Sequence, residues 1–504
     1  MKIGNHKNLA RRKQKIAQRL ERRNFVDQAE PMLQGGNVHY EVAGRQEGQG
    51  YGGLAAIHEM VKRLGLAELM NERLKLLKVH TPYFESDHIL NIAYSVLAGG
   101  TGLEDIERLR SEEGYLDALG AQRLPGPTTA GDFLRRFTES YILLLLEVIN
   151  EVRIAVWKEK AARDPDFFDE AILEVDASLT QTLGECKGGM DISYKGIWGY
   201  APLVVTLANT REVLYIINRP GNTPSSKDAA PWIDRAIELV SPYFQKVTVR
   251  GDTDYSLTEH MDKWDEKVEF VLGYDAHRNL VEAAEALESR AWSRLERPPK
   301  YVVRTRKRTR PANVKEEIVR ARGFVNQRLL CEDVAEFDYR PTACEKTYRM
   351  VVVRKNISVE KGESAFLPLI RYFFYITNQW IPSNADVVFS ANDRCDQENI
   401  LAQLKSGVPA LHAPVDNLTS NWAYMVVASL AWTFKAWYGL VTPDVKAGRE
   451  IVRMEYKKFL YHFIALPCQI IQGARRLVIR VLGYTRYLET FLETHDAIRR
   501  LRGT

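Results

Sequence analysis

Between Tyr51 and Lys160 the apolar residues recur at three- and four-residue spacing, the period of helices that bury one stripe. Leu54, Ile57, Val61 and Leu64 form the first stripe, and Gly65 suits the end of that helix. His88–Leu97 and Leu103–Leu109 predict further helices on either side of a small-residue stretch, Ala98-Gly99-Gly100-Thr101-Gly102. After Pro127-Thr128-Thr129 a threonine can cap a helix over Ala130–Phe137 that displays Arg135 and Arg136. At Phe167 the period changes. Ala171–Leu179, Gly199–Ala208 and Val213–Asn218 are short apolar runs between turn residues, which predicts a three-strand meander. A helix follows over Ala229–Val240, a strand over Val247–Arg250, a helix over Leu257–Asp265 and a strand over Val268–Gly273. Past about His277 this order breaks down, with strand-like residues at 336–354. Helix returns at Asp396–Lys405, at Asn421–Tyr438 and from Arg449 to Arg502.

Three strands, helix, strand, helix, strand is the order of a ribonuclease H-like domain. The expected class is therefore α/β: a ribonuclease H-like catalytic domain with a β-rich insertion, plus helical N- and C-terminal regions. The boundaries run as a basic N-terminal segment (1–50), a helical DNA-binding region (51–165), the first part of the catalytic domain (166–276), the insertion (277–370), the second part of the catalytic domain (371–440) and a basic helical C-terminal region (441–504).

Composition narrows the function classes. A chain of 504 residues with 45% hydrophobic and 27% charged residues can bury a sizeable core, which excludes wholesale disorder. Basic residues are concentrated in three places: residues 1–25, the insertion (Arg304, Arg306, Lys307, Arg308, Arg310) and the C-terminal stretch. Such clusters commonly bind a polyanion. Short helices around small-residue turns with exposed arginines are also compatible with a helix-turn-helix reader of DNA, through Arg135 and Arg136. No apolar run follows the basic N-terminus as in a signal peptide, and no stretch is long enough to span a bilayer, so no membrane partner is expected. Five scattered cysteines without a CxxC pair, and ten histidines without an HExxH, argue against zinc. A soluble protein of a reducing cytoplasm is the expectation.

Candidate chemistry lies in the acids. Asp176 sits mid-strand between Leu173, Val175 and Leu179, where a carboxylate is costly unless it is paired or holds a metal. Asp252 stands where the fourth strand ends, in Arg250-Gly251-Asp252-Thr253-Asp254, and glycine there lets the backbone approach a ligand closely. Asp254 competes with it, and Asp252 is preferred because it lies nearer the strand. In a ribonuclease H-like sheet the first and fourth strands are adjacent, so the two aspartates could share a metal. Arg394, Glu398 and Lys405 follow at gaps of four and seven and so face one side of a helix. A carboxylate flanked by two cations suits a site that receives a metal and a phosphate backbone, although a surface ion pair would have the same spacing.

The spacing R-(3)-E-(6)-K resembles the signature of the DDE transposases of bacterial insertion sequences that carry a Y-(2)-R-(3)-E-(6)-K helix. Longer segments are similar to the insertion-sequence family numbered thirteen-eighty: ESDHILNIAYSVLAGGTGLEDIERLR, PTTAGDFLRRF, GMDISYKGIWGYAPLVVTLANT, RGDTDYSLTEHMDKWD, ANDRCDQENILAQLK and APVDNLTSNWAYMVVASLAW. The resemblance implies cleavage of the ends of an insertion sequence and joining of the 3′-hydroxyls to target DNA by two-metal phosphoryl transfer. It assigns Asp176, Asp252 and Glu398 as catalytic acids and metal ligands, with two Mg²⁺ ions, Mn²⁺ as a substitute, and Arg394 and Lys405 on DNA phosphates. Its partners would be double-stranded DNA, as terminal inverted repeats and target, and a second copy in a homodimeric synaptic complex in a bacterial cytoplasm, on the nucleoid when bound to DNA. The signature tyrosine position is Ala391, a departure that removes no metal ligand. The 146 residues between Asp252 and Glu398 (398 − 252) fit a β-insertion that in some relatives holds a flipped base, and Phe373, within Tyr372-Phe373-Phe374-Tyr375, is the candidate for such stacking. An inactive transposase serving as a DNA-binding protein and a plain nuclease of the same fold stay open as alternatives.

Overall fold

The computed structural model describes residues 3–21, 48–80, 83–297, 313–361, 364–473 and 476–501. The arginine cluster at 304–310 and, from the basic N-terminal stretch, Arg22 and Arg23 lie outside them.

The strands in chain order are β1 (Gly48–Gln49), β2 (Glu170–Ala177), β3 (Thr180–Gln181), β4 (Asp191–Ile192), β5 (Trp198–Tyr200), β6 (Leu203–Leu207), β7 (Glu212–Ile217), β8 (Lys246–Gly251), β9 (Glu269–Tyr274), β10 (Ser293–Arg294), β11 (Val325–Tyr339), β12 (Tyr348–Lys361), β13 (Ser364–Thr377), β14 (Cys468–Gly473) and β15 (Arg476–Val481). Nine form one mixed sheet in the order β10-β11-β12-β13-β9-β8-β2-β6-β7. At its centre β2, β8 and β9 run parallel, and β6 and β7 add antiparallel on one side. The two strands bearing Asp176 and Asp252 are therefore neighbours. Helices Ala230–Val240 and Thr258–Asp265 fall where the apolar period places them.

Residues 277–370 hold the strands β10, β11 and β12 and the first half of β13. β13 runs through the boundary at 370, and its C-terminal half pairs with β9 from Phe374↔Tyr274 to Thr377↔Val271. The long β11-β12-β13 arm is thus an extension of the central sheet, because continuing the ladder satisfies the edge of β9 that would otherwise stay open. The C-terminal region departs further from expectation. It is not helical throughout: β14 and β15 pair as antiparallel strands, and β1 adds to β14. Ile470, Ile471, Val478, Ile479 and Val481 are β-branched, and their side chains suit a pleated surface better than a helix.

Helices cover the sheet. Leu418–Val441 is apolar around its whole circumference and buried along nearly its full length, which makes it the central helix of the molecule. It packs on β7 and on helices Glu85–Leu97 and Glu139–Ala161. At that junction Glu212 of β7, fully buried, accepts from Arg153 Nε (3.0 Å), Trp157 Nε1 (2.8 Å) and Trp437 Nε1 (2.8 Å). One carboxylate thus ties the sheet to two helices. Among the described residues no helix is long and apolar enough to cross a membrane.

Two histidines report on the N-terminal helices. His58 meets the Tyr94 hydroxyl at 3.0 Å and His88 stacks on Phe133 at 4.3 Å, and burial pushes both down to about 4. Between that value and the 6.5 of a free histidine, the unfolded chain binds more protons than the folded one, so each ring withdraws stability as pH falls through this window. The size is about 1.4 kcal/mol for each pH unit separating the two values. Glu174 and Asp176, raised to about 7 and about 6, act in the opposite direction over part of the same range. The test is therefore a difference: a His88→Phe variant should lose less Tm than the wild type between pH 7.5 and 5.0. Equal losses would remove His88 from the account.

Candidate active site

Asp176 lies next to the last residue of β2, and Asp252 follows the last residue of β8. The two strands are parallel with Glu174 opposite Arg250, so both aspartates leave the sheet at the same end. Gly251 is required there for packing: a Cβ would stand 2.8 Å from that of Tyr255, which is fully buried, and Gly251 also lines the cavity that includes Asp252 and Arg394. The Asp252 carboxylate caps the short turn Thr253–Tyr255 by accepting from the Asp254 N–H at 3.1 Å.

The third acid arrives on helix Cys395–Ser406, with Glu398 in its first turn and Arg394 at its N-cap. Arg394 is the centre of the site. Its Nη1 lies 3.3 Å from Asp252 Oδ2 and 3.6 Å from Asp176 Oδ2, and its Nη2 lies 3.9 Å from Glu398 Oε1. Nη1 is buried and has no well-aligned hydrogen bond. It acts as a positive charge held between carboxylates. Asp254, by contrast, is exposed on the turn.

Burial pushes Asp176 up to about 6; Asp252 and Glu398 add to the rise and Arg394 opposes it. Asp252 is raised as well, by burial first and then by Asp254, again against Arg394. Behind them Glu174, on the same face of β2 two residues before Asp176, is fully buried and pairs with Arg250 Nη2 at 2.7 Å. Burial raises it to about 7. Arg250 Nη1 also donates to the Ser390 carbonyl at 3.0 Å, which joins the sheet to helix Asn384–Asn392 just before Arg394. Arg211 Nη2 holds Asp396 at 2.7 Å and fixes the next helix. Glu174, Arg250, Arg211 and Tyr255 were not anticipated. The one signal in the sequence for Glu174 is its i, i+2 relation to Asp176 on an alternating strand.

The structure brings Asp176, Asp252, Glu398 and Arg394 together. Lys405 lies further along the helix of Glu398, half-buried, and is lowered by burial and by Lys195 but supported by Asp176. Phe373 lines a cavity of about 370 Å³ that also includes Asp252, Arg394, Ala391 and Tyr274. Its ring is 41% exposed, with Lys355 Nζ 4.4 Å from the centroid. Arg135 and Arg136 stand elsewhere. Arg135 pairs with Asp132 at 2.9 Å and Asp416 at 3.1 Å, a brace between two helical segments, and Arg136 is exposed beside it.

All three acids offer hard oxygen donors, the type that divalent Mg²⁺ or Mn²⁺ prefers. Among the described residues no three His, Cys, Asp or Glu side chains form a ready-made metal cage. The acids instead converge on one guanidinium, so the site fits cations in charge and donor chemistry while Arg394 fills their meeting point. The family of the transposase DDE domain, group 1, matches residues 31–503. The chain belongs to this DDE transposase family. The match spans both acid-bearing strands, the β11-β12-β13 arm and the C-terminal hairpin, so the whole described body other than the N-terminal helix Ile3–Glu21 falls within the family. No curated protein matches the chain. Among solved structures, a piggyBac transposase synaptic complex with hairpin DNA, determined by cryo-EM, is similar at 10% identity and a TM-score of 0.33, over 91% of this chain and 88% of that one. A likeness that loose carries no argument.

Proposed function

We propose that this transposase cuts the ends of a bacterial insertion sequence of the family numbered thirteen-eighty and joins the freed 3′-hydroxyls to target DNA. The reading takes the central sheet as ribonuclease H-like and Asp176, Asp252 and Glu398 as the catalytic acids. One observation carries it: three carboxylates from two adjacent strands and one helix gather within 4 Å of a single cation. Carboxylates so placed repel one another unless positive charge is supplied. Two Mg²⁺ ions held by these acids would polarise the attacking and leaving oxygens of an in-line displacement. The protein's own part is to hold the acids rigidly, through the parallel strand pair, the Glu174–Arg250 ion pair and the Arg211–Asp396 brace. Arg394, released from the acids, would be placed to meet a DNA phosphate, and Lys405 would add a second cation on the same helix. A second copy of the chain would hold the other end in synapsis.

The deciding experiment incubates purified protein with a labelled duplex carrying the flanking DNA ends, a target plasmid, and Mg²⁺ or EDTA. Cleavage and joined product in Mg²⁺ alone is the expected result. Cut ends without joining would make the chain a nuclease, and binding without cutting would make it a repurposed DNA-binding protein. Metal binding can be read without DNA. Adding millimolar Mg²⁺ or Mn²⁺ should raise Tm, by mass action on the folded state, and EDTA should reverse it. Asp252→Asn should reduce the shift; an unchanged shift would place the metal elsewhere.

A further inference from the structure

The chain between β2 and β6 builds a feature that the family assignment leaves without a role. β3, β5 and β4 form a small three-stranded sheet of their own, in that order. Its tip is a tight turn in which the Ser193 N–H donates to the Ile197 carbonyl at 2.8 Å and the Gly196 N–H to the Ser193 carbonyl at 2.8 Å. Gly196 takes the left-handed conformation this turn needs (φ +73°). The tip puts aromatic rings into solvent. Tyr194 is 87% exposed and Trp198 52%, with Lys195 Nζ 5.3 Å from the Tyr194 ring centroid. Large side chains left in water add little to folding, and on an ordered flap they are free to meet a partner.

The location indicates which partner. Beneath the flap lies a cavity of about 590 Å³ lined by Ala177, Tyr194, Lys195, Asn222, Thr223 and Lys405. Ala177 is the residue after Asp176, and Lys405 is on the helix that carries Glu398. Lys195 of the flap and Lys405 line this cavity together, next to Ala177. The Phe373 cavity is lined by Asp252 and Arg394. One cavity thus adjoins Asp252 and the other the residue after Asp176, the first carrying Phe373 and Arg394 and the second Tyr194, Lys195 and Lys405, and each is of a size for small ligands rather than a double helix.

We propose that the β3–β5–β4 flap binds the unpaired strand beside the phosphate being cut. Bases stack on Tyr194 and Trp198, and the phosphates between them meet Lys195 and Lys405. Rings spaced with cations are how proteins hold single-stranded nucleic acid without reading its sequence. The proposal rests on the acids being the cutting site, but its test does not depend on cutting.

The experiment measures binding of the full chain, in EDTA, to two fluorescent probes by anisotropy: a blunt duplex, and the same duplex with a four-nucleotide single-stranded thymidine flank. The wild type should bind the flanked probe more tightly. Tyr194→Ala and Trp198→Ala should each weaken that probe about fivefold or more and leave the blunt probe unchanged, whereas Tyr194→Phe keeps the ring and the affinity. Lys195→Ala should lower the salt dependence for the flanked probe by about 0.7 in log–log slope. Tyr194 is so exposed that its loss should leave Tm unchanged, which separates binding from folding. A flank advantage that survives Tyr194→Ala and Trp198→Ala together overturns the proposal. So does a loss of self-association in sedimentation with flank binding intact, which would make the flap an interface between copies. If the rings govern flank binding but the wild type never cuts DNA in Mg²⁺, the flap assignment stands and the catalytic one falls.

Discussion

Asp176→Ala should abolish Mg²⁺-dependent cutting, by roughly three orders of magnitude or more, while binding to the element's ends stays within about twofold of the wild type. Asp176 is the acid set deepest in the sheet, on a central strand that is paired on both sides. Nothing nearby can replace it: Glu174 is committed to Arg250, and Ala177 and Ser178 offer no carboxylate. The variant should also melt no lower than the wild type. Burial raises the Asp176 carboxyl to about 6, so near neutral pH the folded chain holds a charge that the unfolded chain would carry more easily, and removing it relieves that strain. Loss of activity with an unchanged or higher Tm therefore marks an acid kept for chemistry at the expense of stability. Two results would sink the assignment. One is cutting at the wild-type rate. The other is a matching loss of cutting and of Tm, which would make Asp176 structural.

Glu212→Ala should be the most destabilising single change in the sheet, costing about 3–5 kcal/mol. The substitution leaves Arg153, 1% exposed, as an uncompensated buried cation and strips two tryptophan N–H groups of their acceptor. Arg153 would keep its bond to the Val213 carbonyl at 2.7 Å and its contact with Asn150, which cannot neutralise it. The effect should reach beyond β7, because the central helix Leu418–Val441 and helix Glu139–Ala161 are joined to the sheet through this carboxylate. A fall in Tm of several degrees or more, with less soluble protein, is the expected readout. Pairing Glu212→Gln with Arg153→Met should recover part of the loss, since it removes the stranded charge. A Glu212→Ala variant that melts with the wild type would show that water reaches the junction and takes over the role.

Much of the acid-bearing half is legible from local pattern. Asp176, Asp252 and Glu398 are each announced by their own neighbourhood: an acid in an apolar strand, an acid after a strand-ending glycine, an acid between cations at helical spacing. Their meeting around Arg394 is not. The structure places Arg394 among the acids, at the N-cap of the helix that also bears Glu398. Gly251, read as a place for close approach to a ligand, is also held by its packing on Tyr255. Ala391 lines the Phe373 cavity together with Tyr274.

The sequence by itself indicated the order of the longer strands and helices from Phe167 to Gly273, without the small β3–β5–β4 sheet, and the helix of Glu398, and it nominated the three acids. Hydrophobic period, turn residues and side-chain spacing are short-range quantities, and they act within a dozen residues. Tertiary structure alone decided the joining of the β11-β12-β13 arm to β9, the β14–β15 hairpin in a stretch expected to be helical, the Glu174–Arg250 pair beneath the acids and the choice of Arg394 as their common cation. Each of these depends on partners brought together from far apart in the chain, as Glu398 and Asp252 are from 146 residues (398 − 252) away. Strand pairing and charge neutralisation are settled by which groups the folded core leaves side by side, and no local period carries that information.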